Sequence, residues 1–246
     1  MLSERLLRVY VVAEMYRKWL TRRPLTYFFV AMYMPVSILV PLVILAPEAY
    51  HVDVVVGALL FSVVGGGIAD VALNVSYDRA TRRIAFLATR PLEPLDYMLG
   101  VMLGGASYTM VGALVVLLVG QLVLEFKLSI AQALGLLALA FYAYTISACL
   151  GFTLALYGPK DFRLAGSLAD ILLFTLTFIA PVYYPIDLLP DPLRALSYTL
   201  YTTHIALIGK ALARGEAIPI DSLAITTLFL IALLLIVKRG LKWVES

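Results

Sequence analysis

The sequence predicts an all-α integral membrane protein with six transmembrane helices, an N-terminal amphipathic interfacial helix and an outer re-entrant helical segment after the fifth span. Three observations predict this. Hydrophobic residues fill 62% and charged residues 14% of the 246 positions, against roughly 45–50% and about 25% in soluble domains. The apolar residues gather into six runs, each near the roughly 20 residues that a bilayer core requires. Lysine and arginine concentrate in alternate connections between those runs.

The elements follow in order within one membrane domain, 1–246. In residues 1–24, Leu2, Leu6, Val9, Ala13, Tyr16 and Leu20 recur at helical spacing, with Arg8, Lys18 and Arg22 opposite and Arg17 on one flank. Such a helix lies in the membrane interface; a cytosolic helical tail is the alternative. Its charges run throughout, unlike the apolar core of a signal peptide. The apolar runs lie near 25–45, 54–75, 98–122, 131–157, 166–182 and 221–237. Spans one to five therefore occupy 25–182, an outer segment 183–220, and the sixth span with a cytoplasmic tail 221–246.

Orientation comes from Lys and Arg. With residue 1 inside, the inner side holds six of them in 1–25, four in 76–97, two in 158–165 and three in 238–246. The outer side holds none in 46–53, one (Lys127) in 123–130 and three in 183–220. Both termini are expected to be cytoplasmic, in a multi-pass protein of the cell membrane. The single cysteine, Cys149, permits no internal disulfide.

No G-x-x-x-x-G-K-[ST] occurs, so no ATP is expected on a phosphate loop of this chain. Gly65–Gly67 and Gly100, Gly104 and Gly105 suit close helix packing instead. The two histidines make no metal cluster, and no G-x-S-x-G elbow occurs. We expect no catalytic residue, no metal, no resident cofactor and no nucleic-acid partner. Asp70 and Asp170 are the acids best embedded in apolar runs. An ionisable residue in a span is a functional candidate by default; pairing with Arg163 or the Arg79–Arg83 cluster is the alternative.

The connection YDRATRRIAFLATRPLEPLDYMLG (77–100) is the most organised. Asp78 and Arg82 are spaced to pair on a helix. Ile84 and Leu87 form a small apolar stripe that could dock on another protein, and Pro91 and Pro94 stop the helix. A loop that only fixes topology is the alternative. In APVYYPIDLLPDPLRALSY (180–198), Pro181, Pro185, Pro190 and Pro192 end the fifth span, and Tyr183, Tyr184 and Tyr198 suit the headgroup region. Leu193, Leu196, Leu200 and Ala206 keep helical spacing, but polar groups interrupt it. We expect a short helix that enters from outside, turns and leaves, its irregular backbone shielded by protein or lining a watery cavity.

Three features in this order, the basic helix before the first span, R-P-L-E-P-L-D-Y-M-L-G (90–100) and Y-Y-P-I-D-L-L-P-D-P-L-R-A-L-S-Y (183–198), resemble the membrane subunit of type-2 ABC exporters over essentially the whole chain. The chain departs from that pattern at Arg82-Arg83, where many members carry Gly-Thr, and at Leu200–Thr202, where they carry proline or asparagine. The resemblance implies an ATP-driven exporter. Two such subunits, identical or sibling, would form the pathway, and two separate ATPase subunits holding ATP and Mg would dock on the cytoplasmic face. It assigns coupling to Asp78, Arg79, Arg82, Arg83, Leu87, Pro91 and Leu92, and an outer gate to Pro181, Tyr183, Tyr184, Pro185, Pro190 and Pro192. Membrane lipids and an exported substrate of unspecified kind complete the partners. From the residues alone two other readings stay open: an ATPase-independent, proton-coupled carrier using Asp70 or Asp170, and an intramembrane lipid-synthesis enzyme, which the lack of an acid cluster disfavours.

Overall fold

A computed structural model describes residues 2–22, 24–123 and 128–240. The expected tail at 241–246 and Lys127 lie outside the described residues, as do the side chains of Leu2 and Leu20. Every regular element among the described residues is helical. Helix α1 spans Leu2–Thr21. Helix α2 (Pro24–Phe28) runs through a π turn (Phe29–Tyr33) into α3 (Met34–Leu45), and α4 (His51–Gly65) runs through a second π turn (Gly66–Asp70) into α5 (Val71–Ala80). Then come α6 (Arg83–Ala88), α7 (Pro94–Val123), α8 (Ile130–Tyr157) and α9 (Phe162–Phe174), which ends in a third π turn (Thr175–Ile179). Two short helices, α10 (Asp191–Ser197) and α11 (Tyr201–Arg214), precede α12 (Ile220–Gly240).

Each of the six apolar runs coincides with a helical run. Four of these are long and apolar enough to cross a membrane: Glu48–Ala80, Pro94–Leu122, Ile130–Tyr157 and Ile220–Gly240. In the first run the apolar helix Met34–Leu45 has 12 residues. In the fifth, α9 has 13 residues and carries both Arg163 and Asp170. Helix α11 has 14 residues, about 21 Å at 1.5 Å per residue, too short for a core of about 30 Å.

Helices α4 and α8 form the centre. Almost every residue of α4 is buried, as is the α8 stripe from Leu136 through Tyr144 to Phe152. The tightest crossing joins the second π turn to α8. A Cβ on Gly151 would stand 2.7 Å from the Gly67 carbonyl oxygen, and one on Gly67 would stand 2.9 Å from the Ala148 nitrogen. Backbone blocks backbone there, so the small-residue stripe sets the approach of the two helices. By contrast α12 buries only Ser222, Thr226, Leu233 and Val237 and leaves Leu228, Ile231 and Leu235 exposed.

Local signals set several boundaries. Ser129 and Gln132 form a capping box at the start of α8, and Asp161 accepts a hydrogen bond from the Arg163 N–H at the start of α9. Gly215, at φ 72°, ends α11 with the Glu216 N–H donating back to the Ala211 carbonyl at 2.9 Å.

Candidate functional site: two buried junctions and a crevice between them

Asp53 and Asp78 stand near opposite ends of one helical run, α4 to α5, about 37 Å apart at 1.5 Å per residue. Both are buried. Each anchors a polar junction.

The junction at Asp78 joins four elements. Asp78 accepts hydrogen bonds from the Tyr16 hydroxyl of α1 and, at 3.0 Å, from the Tyr97 hydroxyl of α7. Arg83, at the start of α6, lies 3.0 Å from its other oxygen. Burial raises the pKa of Tyr16 well above its ordinary value, so the hydroxyl stays protonated and donates. Nearby, Asp96 in the first turn of α7 holds Arg5 at 3.0 Å and Arg8 at 2.8 Å. A carboxylate there also suits the helix N-terminus.

These bonds lay α1 along α7. Val9, Val12 and Tyr16 pack inward, whereas Leu6, Leu7, Tyr10 and Val11 stay exposed. The packing stripe is thus rotated from the expected one. The cause lies on α7: Gly100 and Gly104 leave room for Val12, Ala13 and the base of Tyr16, where a Cβ would clash.

The structure separates the expected coupling residues. Arg79 donates to the carbonyls of Ala155 and, at 3.4 Å, Leu156, satisfying the end of α8. Asp78 pairs with Arg83 and not with Arg82, because Arg82 leaves the helix at φ 57° and is exposed. Leu87 and Leu92 are half-buried against the core, as is Ile84, so the outward apolar group of α6 is Phe86. Arg90 stacks over the Phe86 ring at 5.0 Å. Pro91 is exposed.

At the other end, Lys210 of α11 lies 2.8 Å from Asp53, and Arg214 lies 2.8 Å from its second oxygen. The Lys210 ammonium also donates to the carbonyls of Pro181 and Tyr184, each at 2.7 Å. One cation thus ties the turn after the third π turn to both α4 and α11. Thr202 adds a bond to the Leu176 carbonyl at 2.6 Å, and Tyr201 one to Ser147 at 2.8 Å. Pro181 and Tyr183 are buried, Tyr184 and Pro185 half-buried, Pro190 and Pro192 exposed. The Tyr183 ring lies on Gly57, where a Cβ would overlap it. His204 is held between Ser222 at 3.1 Å and the Tyr198 carbonyl at 2.9 Å. Among the described residues no group of three His, Cys, Asp or Glu could hold a metal.

Between the junctions, Asp70 and Asp170 line one apolar crevice of about 240 Å³, walled by Met34, Phe61, Leu73 and Leu173. Asp70 accepts from the Tyr108 hydroxyl at 2.9 Å. Of the arginines named as possible partners, Arg83 pairs with Asp78, Arg79 with the end of α8, and Arg163 lies over the Phe162 ring at 5.8 Å, while Arg82 is exposed and pairs with neither acid. Among the described residues neither acid has a basic partner.

The sequence placed Tyr16 on the α1 stripe and Asp96 and Tyr97 in the 90–100 motif, but it gave none of these, nor Asp53, Lys210 or Arg214, a pairing role. Asp53 and Lys210 carried a signal: Asp53 is the one acid of α4, Lys210 sits with Arg214 in the mostly apolar α11, and the signs are opposite.

A family model described as ABC-2 type transporter matches residues 3–207. That is most of the chain, and the chain belongs to this family. It is the membrane permease component of an ABC transporter, a transport subunit and not itself the catalytic one. The match ends within α11, before Lys210 and α12. No curated protein matches the chain.

Proposed function

We propose that the chain is the transmembrane subunit of an ATP-driven exporter. It couples to separate ATPase subunits, which hold ATP and Mg, and works as a pair with a second copy or a sibling permease. The observation that carries this reading is the Asp78 junction. It binds α1, α6 and α7 to the end of α5, so a force on α1 or α6 reaches two long helices through buried hydrogen bonds. The outward face of that region presents Arg82, Phe86 and Arg90, all exposed, with Arg90 over the Phe86 ring, which suits an ATPase surface with an acidic rim and an apolar pocket.

In this reading six spans cross the cell membrane, with α1 and α6 on the cytoplasmic side. Helices α10 and α11 form a re-entrant pair on the outer side, and Lys210 closes the outer gate onto Pro181 and Tyr184. Phe61, Phe174, Phe178 and Tyr183 follow one another at centroid spacings of 6.1, 5.8 and 5.6 Å. This aromatic row runs from the crevice to the outer turn and supports a path along that face. Phe178 of this row is exposed, as are Phe28, Phe29 and Ile171, and these would meet lipid or the second subunit.

The test is reconstitution of the chain with its ATPase in liposomes. The complex hydrolyses ATP, and the chain alone does not. Arg82→Glu lowers ATPase association and coupled turnover, while the Asp78 junction, which Arg82 does not touch, stays intact. Normal coupled activity in Arg82→Glu, with the protein correctly oriented, would move the docking contact elsewhere. Robust hydrolysis by the pure chain would sink the reading.

A further inference from the structure

The crevice at Asp70 and Asp170 is not explained by packing. Its walls are mostly apolar, yet two carboxylates from different elements, the second π turn and α9, line it. Asp70 is half-buried and Asp170 exposed toward the opening. Two acids without a cation in an apolar, low-dielectric setting are unfavourable. Among the described residues no lysine or arginine lines the crevice.

A second observation is independent of the acids. Thr109 of α7 lines the same crevice, is 4% exposed, and its hydroxyl has no hydrogen-bond partner. A buried unpaired hydroxyl is destabilising, a cost that a bound group with a polar edge would offset. Aromatic surface is also present, in Phe61 and Tyr108. Ring faces attract cations. The backbone agrees as well: π turns interrupt the helical runs that supply three of the walls, at Phe29–Tyr33, Gly66–Asp70 and Thr175–Ile179. Such bulges are frequent at functional sites.

We infer that this crevice binds an amphipathic organic cation, whose charged nitrogen lies between Asp70 and Asp170 and whose apolar body lies on Phe61, Leu73 and Leu173. The inference rests on the permease reading above and names the class of solute that permease takes. Tyr108 holds the Asp70 carboxylate in place through its hydrogen bond. Asp70 lies ten residues before the end of α5 at Ala80, or about 15 Å along the helix. A solute arriving from the α6 end therefore meets the acids first and the aromatic row next. The occupant in competition with an organic cation is a proton shared by the two acids, which would need no apolar walls.

The experiment uses the full chain in nanodiscs of zwitterionic phosphatidylcholine, without ATPase, and radiolabelled benzyltriethylammonium as probe. Empty nanodiscs give the lipid background. Saturable binding is expected. It weakens at least tenfold in Asp170→Asn and in Asp70→Asn, and Asp70→Glu retains it. Phenylpropanesulfonate, of similar size and opposite charge, shows no saturable binding. Asp170 is exposed, so its substitution leaves the fold intact even where Asp70→Asn does not. Unchanged affinity in Asp170→Asn, equal binding of the sulfonate, or no saturable binding by the unaltered chain would each overturn the assignment. No ATPase is present, so failure here is distinct from failure of the coupling reading.

Discussion

The Tyr16 hydroxyl donates a hydrogen bond to the Asp78 carboxylate across 62 positions of sequence. Tyr97, from a third element, donates to the same oxygen. The first helix is therefore fastened to the bundle by a buried charge, and not merely laid against it.

Removing that bond has a measurable cost. Tyr16→Phe keeps the ring against α7 and deletes only the donor. Loss of a hydrogen bond to a charged group costs about 1.5–3 kcal/mol. The thermal midpoint of the purified chain falls accordingly, and coupled ATPase activity falls with it. Combining Tyr16→Phe with Asp78→Asn costs less than the two changes separately, by at least about 0.5 kcal/mol. Strict additivity would mean that the bond carries no energy.

Arg82 offers the opposite case. Its φ of 57° is a left-handed conformation that costs a non-glycine residue of order 1 kcal/mol. Its side chain is exposed and makes no hydrogen bond or ion pair among the described residues. Arg82→Gly is expected to raise the thermal midpoint slightly while weakening ATPase association. A gain in stability with a loss of coupling separates the docking role of this residue from any folding role. If association is unaffected, the left-handed arginine is only a turn.

These two residues also mark how far the sequence could be read. Six apolar runs became six helical runs, because period and length are local properties of the chain. The turn at 180–190 was legible in its prolines for the same reason. The junctions were not, because they join residues distant in sequence: Tyr16 to Asp78, and Asp53 to Lys210 and Arg214. The i,i+4 rule suggested Asp78 with Arg82, but the chain leaves the helix at Arg82 and delivers Arg83 instead. The α1 stripe was misaligned because the deciding groove, Gly100 and Gly104, lies on another helix. Asp70 and Asp170 were found because an acid in an apolar run is conspicuous by itself. That they share one crevice with Thr109 required the fold.

Topology follows from labelling. Cys149 is fully buried and out of reach of an aqueous reagent, so it gives no background in the folded protein. A cysteine at Asp187 is expected to react with an impermeant thiol reagent in intact cells, and one at Arg82 only after permeabilisation. The reverse pattern would invert the orientation.

The last prediction concerns Lys210. It is 5% exposed and contacts Asp53 and the carbonyls of Pro181 and Tyr184. Lys210→Met keeps most of the volume and removes the charge and three contacts. Breaking a buried pair by deleting one partner costs about 3–5 kcal/mol. Arg214 still reaches Asp53 but is 39% exposed at its side chain, so it offsets only part of this. The double variant Asp53→Asn with Lys210→Met leaves no buried carboxylate short of a cation, only the partly exposed Arg214 without its partner, and recovers some of the loss. It does not recover all of it, because the two carbonyls still lack their donor. The order of thermal midpoints is therefore native above double variant above Lys210→Met. The gate reading adds a second readout: a cysteine at Asp187 labels faster in Lys210→Met, since the turn that follows Pro181 is no longer held to α11. A midpoint within about 0.5 kcal/mol of native, the usual range for surface substitutions, would mean that the cluster holds nothing. A lower midpoint with unchanged labelling would leave Lys210 a role in folding and remove it from the gate.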